Sequence, residues 1–401
     1  MNIVVQKYGG SSVATSEKIK KVAETVIARK EKGNSMVVVV SAMGDTTDEL
    51  ISLAKEITEN PDKREMDALL STGEMVSSAM LAMAVNAMGH KAVSYSAYQL
   101  NIQTRGQYGK ALIKDMDITK IVESLEEDNI VIVAGFQGVN DLGDITTLGR
   151  GGSDTSAVAL AYKLKGSCEI YTDVDGIYAC DPRKLKSAKK LSDIHYEEML
   201  ELASLGAQVM HSRSVELAEK YNIPIYVGLS CSDIKGTIIG GTNNMETKAV
   251  TGIATSNDDI SITVKNISSD INIISELFGK IGERKINIDM ISQTAPIDDK
   301  VNISFTIPKE DVSDCMEILY QLACKENIII DEDITKFSIV GIGMKTTSGV
   351  AGKMFRLFSE NNILVKMITT SEIRVTCTIK REDELKAIDI TGEAFNLKAS
   401  I

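Results

Sequence analysis

The chain reads as an α/β fold: a three-layer αβα unit around a mostly parallel sheet, followed by two smaller ferredoxin-like (βαββαβ) units. Three observations lead there. Short β-branched runs alternate with helical patterns from Met1 to about Gly241, several of those runs are apolar on successive residues, and from Ile260 a βαββαβ order is completed and then begun again.

Length agrees with more than one domain, because 401 residues exceed the size at which a single core keeps growing. Hydrophobic residues make up 43% and charged residues 25%, the balance of a globular chain. Trp is absent and aromatics are 4%, so the cores must be built from Ile, Val, Leu, Ala and Met.

Taken in order, NIVVQ, MVVVVS, AVSYS, IVIVAG, CEIYT and IPIYVG read as strands. Runs without polar alternation are how strands covered on both faces read. Between the first two, Ile19, Val22, Ala23, Val26 and Ile27 fall on one helical stripe, Thr15 or Ser16 stands where a cap belongs, and Gly33 follows the end. After Gly241 the segment GTNNMETKA loses this rhythm, which sets a first domain at residues 1–242.

The next domain, residues 260–335, runs ISITVK, the helix INIISELFGKIG, INIDMIS, VNISFTI, the helix VSDCMEILYQLACKE and IIIDEDI. FSIVGIG, the helix through GVAGKMFRLFSE, ILVKMITT, IRVTCTI and the helix in DELKAIDITGEAF then repeat the order with a period of about 75 residues. The second copy lacks a convincing fourth strand, and a bare sheet edge invites a partner. VTGIA (250–254) is otherwise orphaned, so the first copy is expected to be inserted into the second, whose domain is residues 249–256 plus 336–401.

A formal charge of −12 repels a phosphate backbone, which argues against a nucleic-acid partner. No apolar run approaching the roughly 20 residues of a membrane span stands out, and MNIVVQKYGG leads into a strand instead of a signal peptide, so no membrane and a cytoplasmic location are expected. The cysteines (Cys168, Cys180, Cys231, Cys315, Cys324, Cys377) lack CxxC spacing, and His90, His195 and His211 lack ligand spacing. No protein metal site and no Ser/His/Asp constellation follow from them.

Chemistry gathers in four places. In VQKYGGSS a strand ends in Lys7 and the pair Gly9–Gly10 before a helix, which lets backbone N–H groups and a lysine surround a phosphate; a packing turn would read the same. TLGRGGSDTSA sets three glycines around Arg150, able to fork onto a carboxylate or phosphate, with Asp154 placed to cap the next helix. TDVDGIYACDPR follows the strand CEIYT and offers Tyr178 to a base and Arg183 to phosphates, or only turn chemistry. STGE opens the helix EMVSSAMLAMAVNAM, where the helix dipole favours the Glu74 carboxylate and an amine ligand is a plausible partner.

KYGGSSV, SAMGDTTDEL, STGE, GRGGSDTSA and TDVDGIYACDPR, in that order, resemble the motif set of aspartate kinases within the amino-acid kinase family, and the doubled C-terminal unit, with GVAGKMF and ITTSEI, resembles that family's paired ACT domains. The resemblance implies transfer of the γ-phosphoryl group of ATP, with Mg²⁺, to the side-chain carboxylate of L-aspartate. It also implies that Lys7, Gly9, Gly10 and Ser11 meet the ATP phosphates, that Asp154 steers Lys7, and that Thr172, Asp173, Tyr178 and Arg183 hold the nucleotide. Glu74 would bind the aspartate amine and Arg150 its α-carboxylate, with Ser41, Thr47 and Ser153 lining the pocket. In GAQVMH, Gln208 departs from the pattern, standing where many members carry a lysine that contacts the nucleotide.

The residue types suit that reaction. A side-chain carboxylate with an ordinary pKa near 4 is already an ionised nucleophile, so missing catalytic histidines are no objection. What remains is alignment and neutralisation of charge on the transferred group. By the same resemblance the ACT pair implies a homodimer or higher homo-oligomer and a feedback amino acid, lysine and/or threonine. Asp289 and Gln293 in the segment 287–293, with Ser371 and Glu372, are the candidate effector contacts. Another amino-acid kinase, such as a glutamate or acetylglutamate kinase, or a sensor that binds nucleotide without turnover, are the alternatives.

Overall fold

The structure is a computed structural model that describes residues 1–206, 209–241 and 248–399. The chain separates into two compact units. The first comprises Met1–Ile177, Lys190–Ala203 and 209–241, the second Tyr178–Lys189, 204–206 and 248–399.

In the first unit, β1 (Ile3–Tyr8), α1 (Ser16–Glu31), β2 (Ser35–Val40), α2 (Thr46–Ile57), α3 (Lys63–Ala87) and β3 (Ala92–Tyr95) come first. β4 (Gln103–Arg105), β5 (Leu112–Asp115), α4 (Thr119–Glu126), β6 (Ile130–Ala134), β7 (Gln137–Val139), β8 (Ile145–Thr147), α5 (Gly152–Leu164) and β9 (Ser167–Thr172) follow. The unit closes with β10 (Asp193–Ile194), α6 (Tyr196–Ser204), α7 (Ser212–Tyr221), β11 (Ile225–Leu229) and β12 (Thr237–Ile239).

Its main sheet has the order β10-β12-β11-β9-β1-β2-β6-β3 and is parallel except between β11 and β12. The apolar runs explain this: Met36 to Val40 and Ile130 to Ala134 are buried without a gap, so both faces must be covered. Val4, Tyr8, Met36, Val38 and Val40 pack against α1 and α3, while the alternate residues, Lys7 among them, face α5. Thr15 caps α1 by accepting from the Lys18 N–H at 3.3 Å, and Gly33, at φ +86°, turns the chain after it.

Three expectations are corrected here. α3 begins at Lys63, not at the STGE motif, because Asp62 accepts from the N–H groups of Arg64 and Glu65 and caps it there. Glu74 is therefore in the middle of a helix, beyond the reach of the helix-end dipole. The loop carrying Arg150 does not leave β6 directly; β7 and β8 intervene and form, with β4 and β5, a second sheet of order β5-β4-β7-β8. Strands this short carry little periodicity to read. Finally, α3 is long and apolar enough to cross a membrane by composition alone. Its stripe of Asp67, Ser71, Glu74, Ser77 and Ser78 is buried within the unit, which identifies a core helix.

The second unit contains β13 (Gly252–Ser256), β14 (Asp259–Ser268), α8 (Ile271–Glu283), β15 (Ile291–Gln293), β16 (Lys300–Pro308), α9 (Val312–Leu322) and β17 (Ile328–Asp331). Then come β18 (Thr335–Val340), α10 (Val350–Glu360), β19 (Met367–Thr370), β20 (Arg374–Ile379) and α11 (Glu384–Ala394). Its two sheets have the orders β15-β16-β14-β17 and β13-β18-β20-β19, with antiparallel neighbours throughout. β13 is thus an edge strand hydrogen-bonded to β18, about 80 residues along the chain. INIDMIS is a strand only from Ile291. Tyr178–Lys189 belongs to this unit: Ile253 N–H donates to Ala179 at 2.7 Å and Ala399 N–H to Ser187 at 2.7 Å.

Candidate active site

Parallel strands end on one edge of the sheet, and their register sets Tyr8 beside both Val40 and Tyr171, Val40 beside Ala134, and Thr172 beside Leu229. Loops leaving this edge carry Gly9–Gly10, Ser41 and Thr172, the arrangement in which open α/β sheets bind ligands.

After β1, the Gly9 N–H donates to Tyr171 at 3.2 Å and residues Gly10–Ser12 form one tight 3₁₀ turn. The turn presses on the loop after β2, whose Gly44 N–H donates to the Gly10 carbonyl at 3.0 Å. A Cβ on Gly10 would stand 2.8 Å from the Ala42 carbonyl, so the glycine is needed for close approach, not for an unusual φ. Ser11 is exposed beside it, and its carbonyl accepts from Lys18 Nζ at 2.8 Å.

Behind the turn lies a pinned layer. Gln6 donates to Glu169 Oε2 at 2.8 Å, Tyr171 donates to the same oxygen at 3.1 Å, and Arg29 donates to Glu169 Oε1 at 2.6 Å. Tyr8 donates to Gln6 and stacks on Tyr171 with ring centroids 5.2 Å apart. Burial raises the Tyr8 hydroxyl pKa, so it remains a donor. This network of hydrogen bonds holds β1 against β9.

On the α5 side, Lys7 Nζ stands 2.7 Å from Asp154 Oδ1, both side chains nearly buried. Asp154 does not cap α5, as the sequence suggested: the N-cap is Gly151, in the left-handed region at φ +68°, and Asp154 lies inside the first turn. α5 can sit so close because Gly135 has no side chain; a Cβ there would be 2.9 Å from Ser153 Cβ. Ser153 is buried at that contact.

Glu74 reaches the same edge from α3. It is 3% exposed, and its Oε1 accepts from the Ala42 N–H at 3.1 Å. Gly73 permits this approach, since a Cβ there would meet Ala42 Cβ at 2.8 Å. Burial pushes the Glu74 carboxyl up to about 7, against the hydrogen bonds from Ala42 and its own backbone N–H, which pull it down. Ser41 lies on the same turn, where its carbonyl accepts from Ser77 Oγ at 2.7 Å, and Thr47 is half-buried in the first turn of α2.

Buried polar atoms are normally satisfied, so the exceptions are informative. Of the eight buried side-chain atoms without a hydrogen-bond partner among the described residues, Ser12 Oγ, Glu74 Oε2 and Asp154 Oδ1 lie here, the last of them ion-paired with Lys7 at 2.7 Å. All three belong to the elements that meet at this edge.

The structure therefore brings Lys7, Gly9, Gly10, Ser41, Glu74, Ser153 and Asp154 to adjoining elements. Arg150, at the tip of its loop, is exposed and makes no hydrogen bond or ion pair among the described residues. Thr172 closes a turn by accepting from Val174 N–H at 3.0 Å and donating to Asp173 at 3.2 Å. Tyr178 and Arg183 fall in the second unit, where Arg183 is forked onto Asp181 at 2.8 and 3.0 Å. Gln208 lies outside the described residues.

Also in the second unit, Asp289 already holds an amine: Lys336 Nζ stands 2.7 Å from it and 2.9 Å from Asp259. Gln293 is exposed on β15, Ser371 N–H closes a turn onto Arg374 at 2.8 Å, and Glu372 is exposed 3.8 Å from Lys345 Nζ. Ser12 and Asp67 are polar residues of the first unit that the motifs did not single out. A carboxylate on the buried stripe of EMDALL was a readable signal for Asp67.

A model of the amino acid kinase family matches residues 2–228, and an ACT-domain model matches residues 260–322 and 337–395. The chain is 46% identical to aspartokinase 2 of Bacillus subtilis over 99% of its own length and 98% of that protein. With the aspartokinase of Corynebacterium glutamicum it shares 44% identity over 99% of this chain and 97% of that one. Among solved structures, aspartate kinase of Clostridium acetobutylicum superposes with TM-score 0.80 at 25% identity, covering 98% of this chain and 100% of that one. E. coli aspartokinase III in complex with aspartate and ADP gives TM-score 0.80 at 23% identity, covering 98% and 99%, a likeness of fold.

Proposed function

Since the chain belongs to the aspartokinases, ACT-bearing members of the amino acid kinase family, we propose that its own residues divide the phosphorylation of the aspartate side chain as follows. The backbone of Gly9, Gly10 and Ser11 and the Lys7 ammonium receive the ATP phosphates, with Asp154 holding Lys7 in place. Thr172 and Asp173 of the first unit are assigned to the nucleotide, and Tyr178 and Arg183, which belong to the second unit, carry the same assignment from the motif TDVDGIYACDPR. Glu74 takes the α-ammonium of aspartate and Arg150 its α-carboxylate, while Ser41, Thr47 and Ser153 line the pocket. The observation that carries this reading is the buried Lys7–Asp154 ion pair at a glycine turn, with two unpartnered buried oxygens, Ser12 Oγ and Glu74 Oε2, on the elements that meet there.

The aspartate β-carboxylate is ionised at neutral pH and attacks without a general base. Lys7 and the turn amides then face charge that grows on the phosphoryl oxygens, where preorganised donors act most strongly. Among the described residues no three His, Cys, Asp or Glu side chains cluster as metal ligands. Mg²⁺ keeps several waters and is commonly held by substrate phosphates and one or two carboxylates; the buried Asp154 is the carboxylate that would hold it beside the cradle. When bound, Mg²⁺ supplies neutralisation of phosphate charge.

The ACT-bearing unit makes the enzyme allosteric. We assign the domains as residues 1–242, 260–335, and 249–256 plus 336–401, the protein to the cytoplasm, and the quaternary state to a homodimer or higher homo-oligomer joined through the ACT sheets. The edge strands β15 and β19 expose Ile291 and Ile368 and suit such a contact. The effector is lysine, threonine or both, drawn to Asp289, Gln293, Ser371 and Glu372. Aspartokinase III of E. coli has been solved with lysine and aspartate bound.

A hydroxamate trap for acyl phosphate, run with ATP, Mg²⁺ and aspartate and repeated with lysine, threonine and both, tests the whole reading. Aspartyl hydroxamate that falls on addition of an amino acid supports it and names the effector. Product with glutamate but not aspartate would overturn the roles given to Glu74 and Arg150.

A further inference from the structure

A carboxylate fully removed from water is tolerated only where donors fill its oxygens. Asp67, on α3 and 1% exposed, meets that requirement with donors that all lie outside its own helix. Its Oδ2 accepts from the N–H groups of Thr147 at 2.8 Å and Gly109 at 2.9 Å, and its Oδ1 accepts from Thr147 Oγ1 at 2.7 Å. Thr147 is the last residue of β8, and the loop it opens carries Arg150.

The side-chain hydrogen bonds that fasten this loop among the described residues lie at its base. Arg213 of α7 donates to the Leu148 carbonyl at 2.6 Å and to the Ala111 carbonyl at 2.8 Å, and the Ala111 N–H donates to Thr147 at 3.0 Å. Gly149 has φ +76°, and a Cβ there would sit 2.9 Å from the Gly109 carbonyl, so the segment around Gly109, itself held by Asp67, packs directly against the Arg150 loop. Residues 147 and 148 are thus gripped by charged groups while the Arg150 side chain remains free at the tip.

Asp67 and Glu74 stand about two turns apart on the same buried stripe of α3. The helix that presents Glu74 is therefore also the element from which the Arg150 loop hangs. We propose that Asp67 is a positioning residue that sets the reach of Arg150 relative to Glu74, and so the fit of the α-amino and α-carboxylate groups of the aspartate substrate. The proposal rests on the assignment of Glu74 and Arg150 to those groups. It places a determinant of aspartate affinity beneath the loop, out of contact with the substrate.

The test is steady-state kinetics of the full chain carrying Asp67→Asn, Thr147→Val or both, with thermal midpoints alongside. Asp67→Asn removes the charge: its oxygen can still accept from the two N–H groups, but as neutral hydrogen bonds, and its amide faces Thr147 Oγ1, which must turn from donor to acceptor; Thr147→Val removes only the hydroxyl donor. The expected result for Asp67→Asn is a roughly tenfold higher KM for aspartate, equivalent to about 1.4 kcal/mol, with KM for ATP changed less than about twofold. Thr147→Val shifts aspartate KM the same way by less, and the effects of the two substitutions do not add in the double variant, because both act on one shared interaction. Unchanged aspartate KM in the folded variants, or equal rises for ATP and aspartate, overturns the proposal. If Asp67→Asn does not fold, Thr147→Val decides. Arg150→Met separates the premise: no change in aspartate KM there sinks the role of Arg150 itself, whereas a rise there but not in the other variants sinks only the role of Asp67.

Discussion

Replacing Glu74 by Gln should stabilise the protein at alkaline pH while abolishing its grip on aspartate. The carboxyl is 3% exposed, one oxygen is unsatisfied, and burial lifts its pKa from an ordinary 4.5 to about 7. A carboxyl whose pKa rises on folding costs nothing below its unfolded value, where both states are protonated. Stability is then lost as pH climbs from 4.5 to about 7, and the full penalty stands above that. The interval is about 2.5 pH units, which at 1.36 kcal/mol each amounts to roughly 3 kcal/mol.

Gln keeps an oxygen for the Ala42 N–H and carries no charge, so it escapes the penalty. The gain should be close to zero near pH 4.5 and reach roughly 3 kcal/mol near pH 8, or about 6–12 °C in the melting point of a unit this size. Aspartate should reverse the order, since its ammonium favours the ionised carboxylate: saturating aspartate raises the melting point of the parent and leaves Glu74→Gln unmoved. Thermal melts across pH, with and without aspartate, read both effects. Equal pH dependence in parent and variant would refute the argument that Glu74 is strained by burial.

Lys7→Ala should lower kcat by about 10²–10³-fold with little change in KM for aspartate, because Lys7 meets charge that develops on the phosphoryl group; the reverse pattern in initial-rate kinetics removes it from the transition state. Gly10→Ala drives a Cβ to 2.8 Å from a backbone carbonyl that cannot swing away, so it should destabilise by about 1–3 kcal/mol and raise KM for ATP, measured by denaturation and nucleotide titration. Lys336 is nearly buried between Asp259 and Asp289, and Lys336→Met should cost the second unit about 3–5 kcal/mol by stranding those carboxylates, while the kinase reaction without effector persists. Chemical denaturation together with an uninhibited turnover assay would show whether those two effects separate.

The main sheet was legible because its strands are apolar on consecutive residues, a signal that survives without any tertiary information. The same holds for α1, with its stripe, its Thr15 cap and the glycine beyond it. β4, β5, β7 and β8 were not legible. Each is three or four residues long, and they exist because the chain between β3 and α5 pairs with itself in three dimensions. α3 shows the opposite error. Its start was misplaced because Gly73 looks like a helix boundary, whereas it is the point where the helix leans on Ala42.

Sequence by itself determined the residue types: a lysine and two glycines after a first strand, a glutamate behind a glycine, an arginine in a glycine loop, and a repeated C-terminal pattern. It also determined which faces are apolar, because a period of two or of 3.6 is a property of local backbone geometry. Tertiary structure alone decided what each polar group confronts. Asp154 could have capped its helix but meets Lys7; Glu74 could have enjoyed a helix end but is buried with one oxygen unsatisfied; Asp67 could have been a stray charge but holds Thr147. The reason is that a charge acquires its energy from the groups within a few ångströms, and those come from strands and helices far apart in the chain.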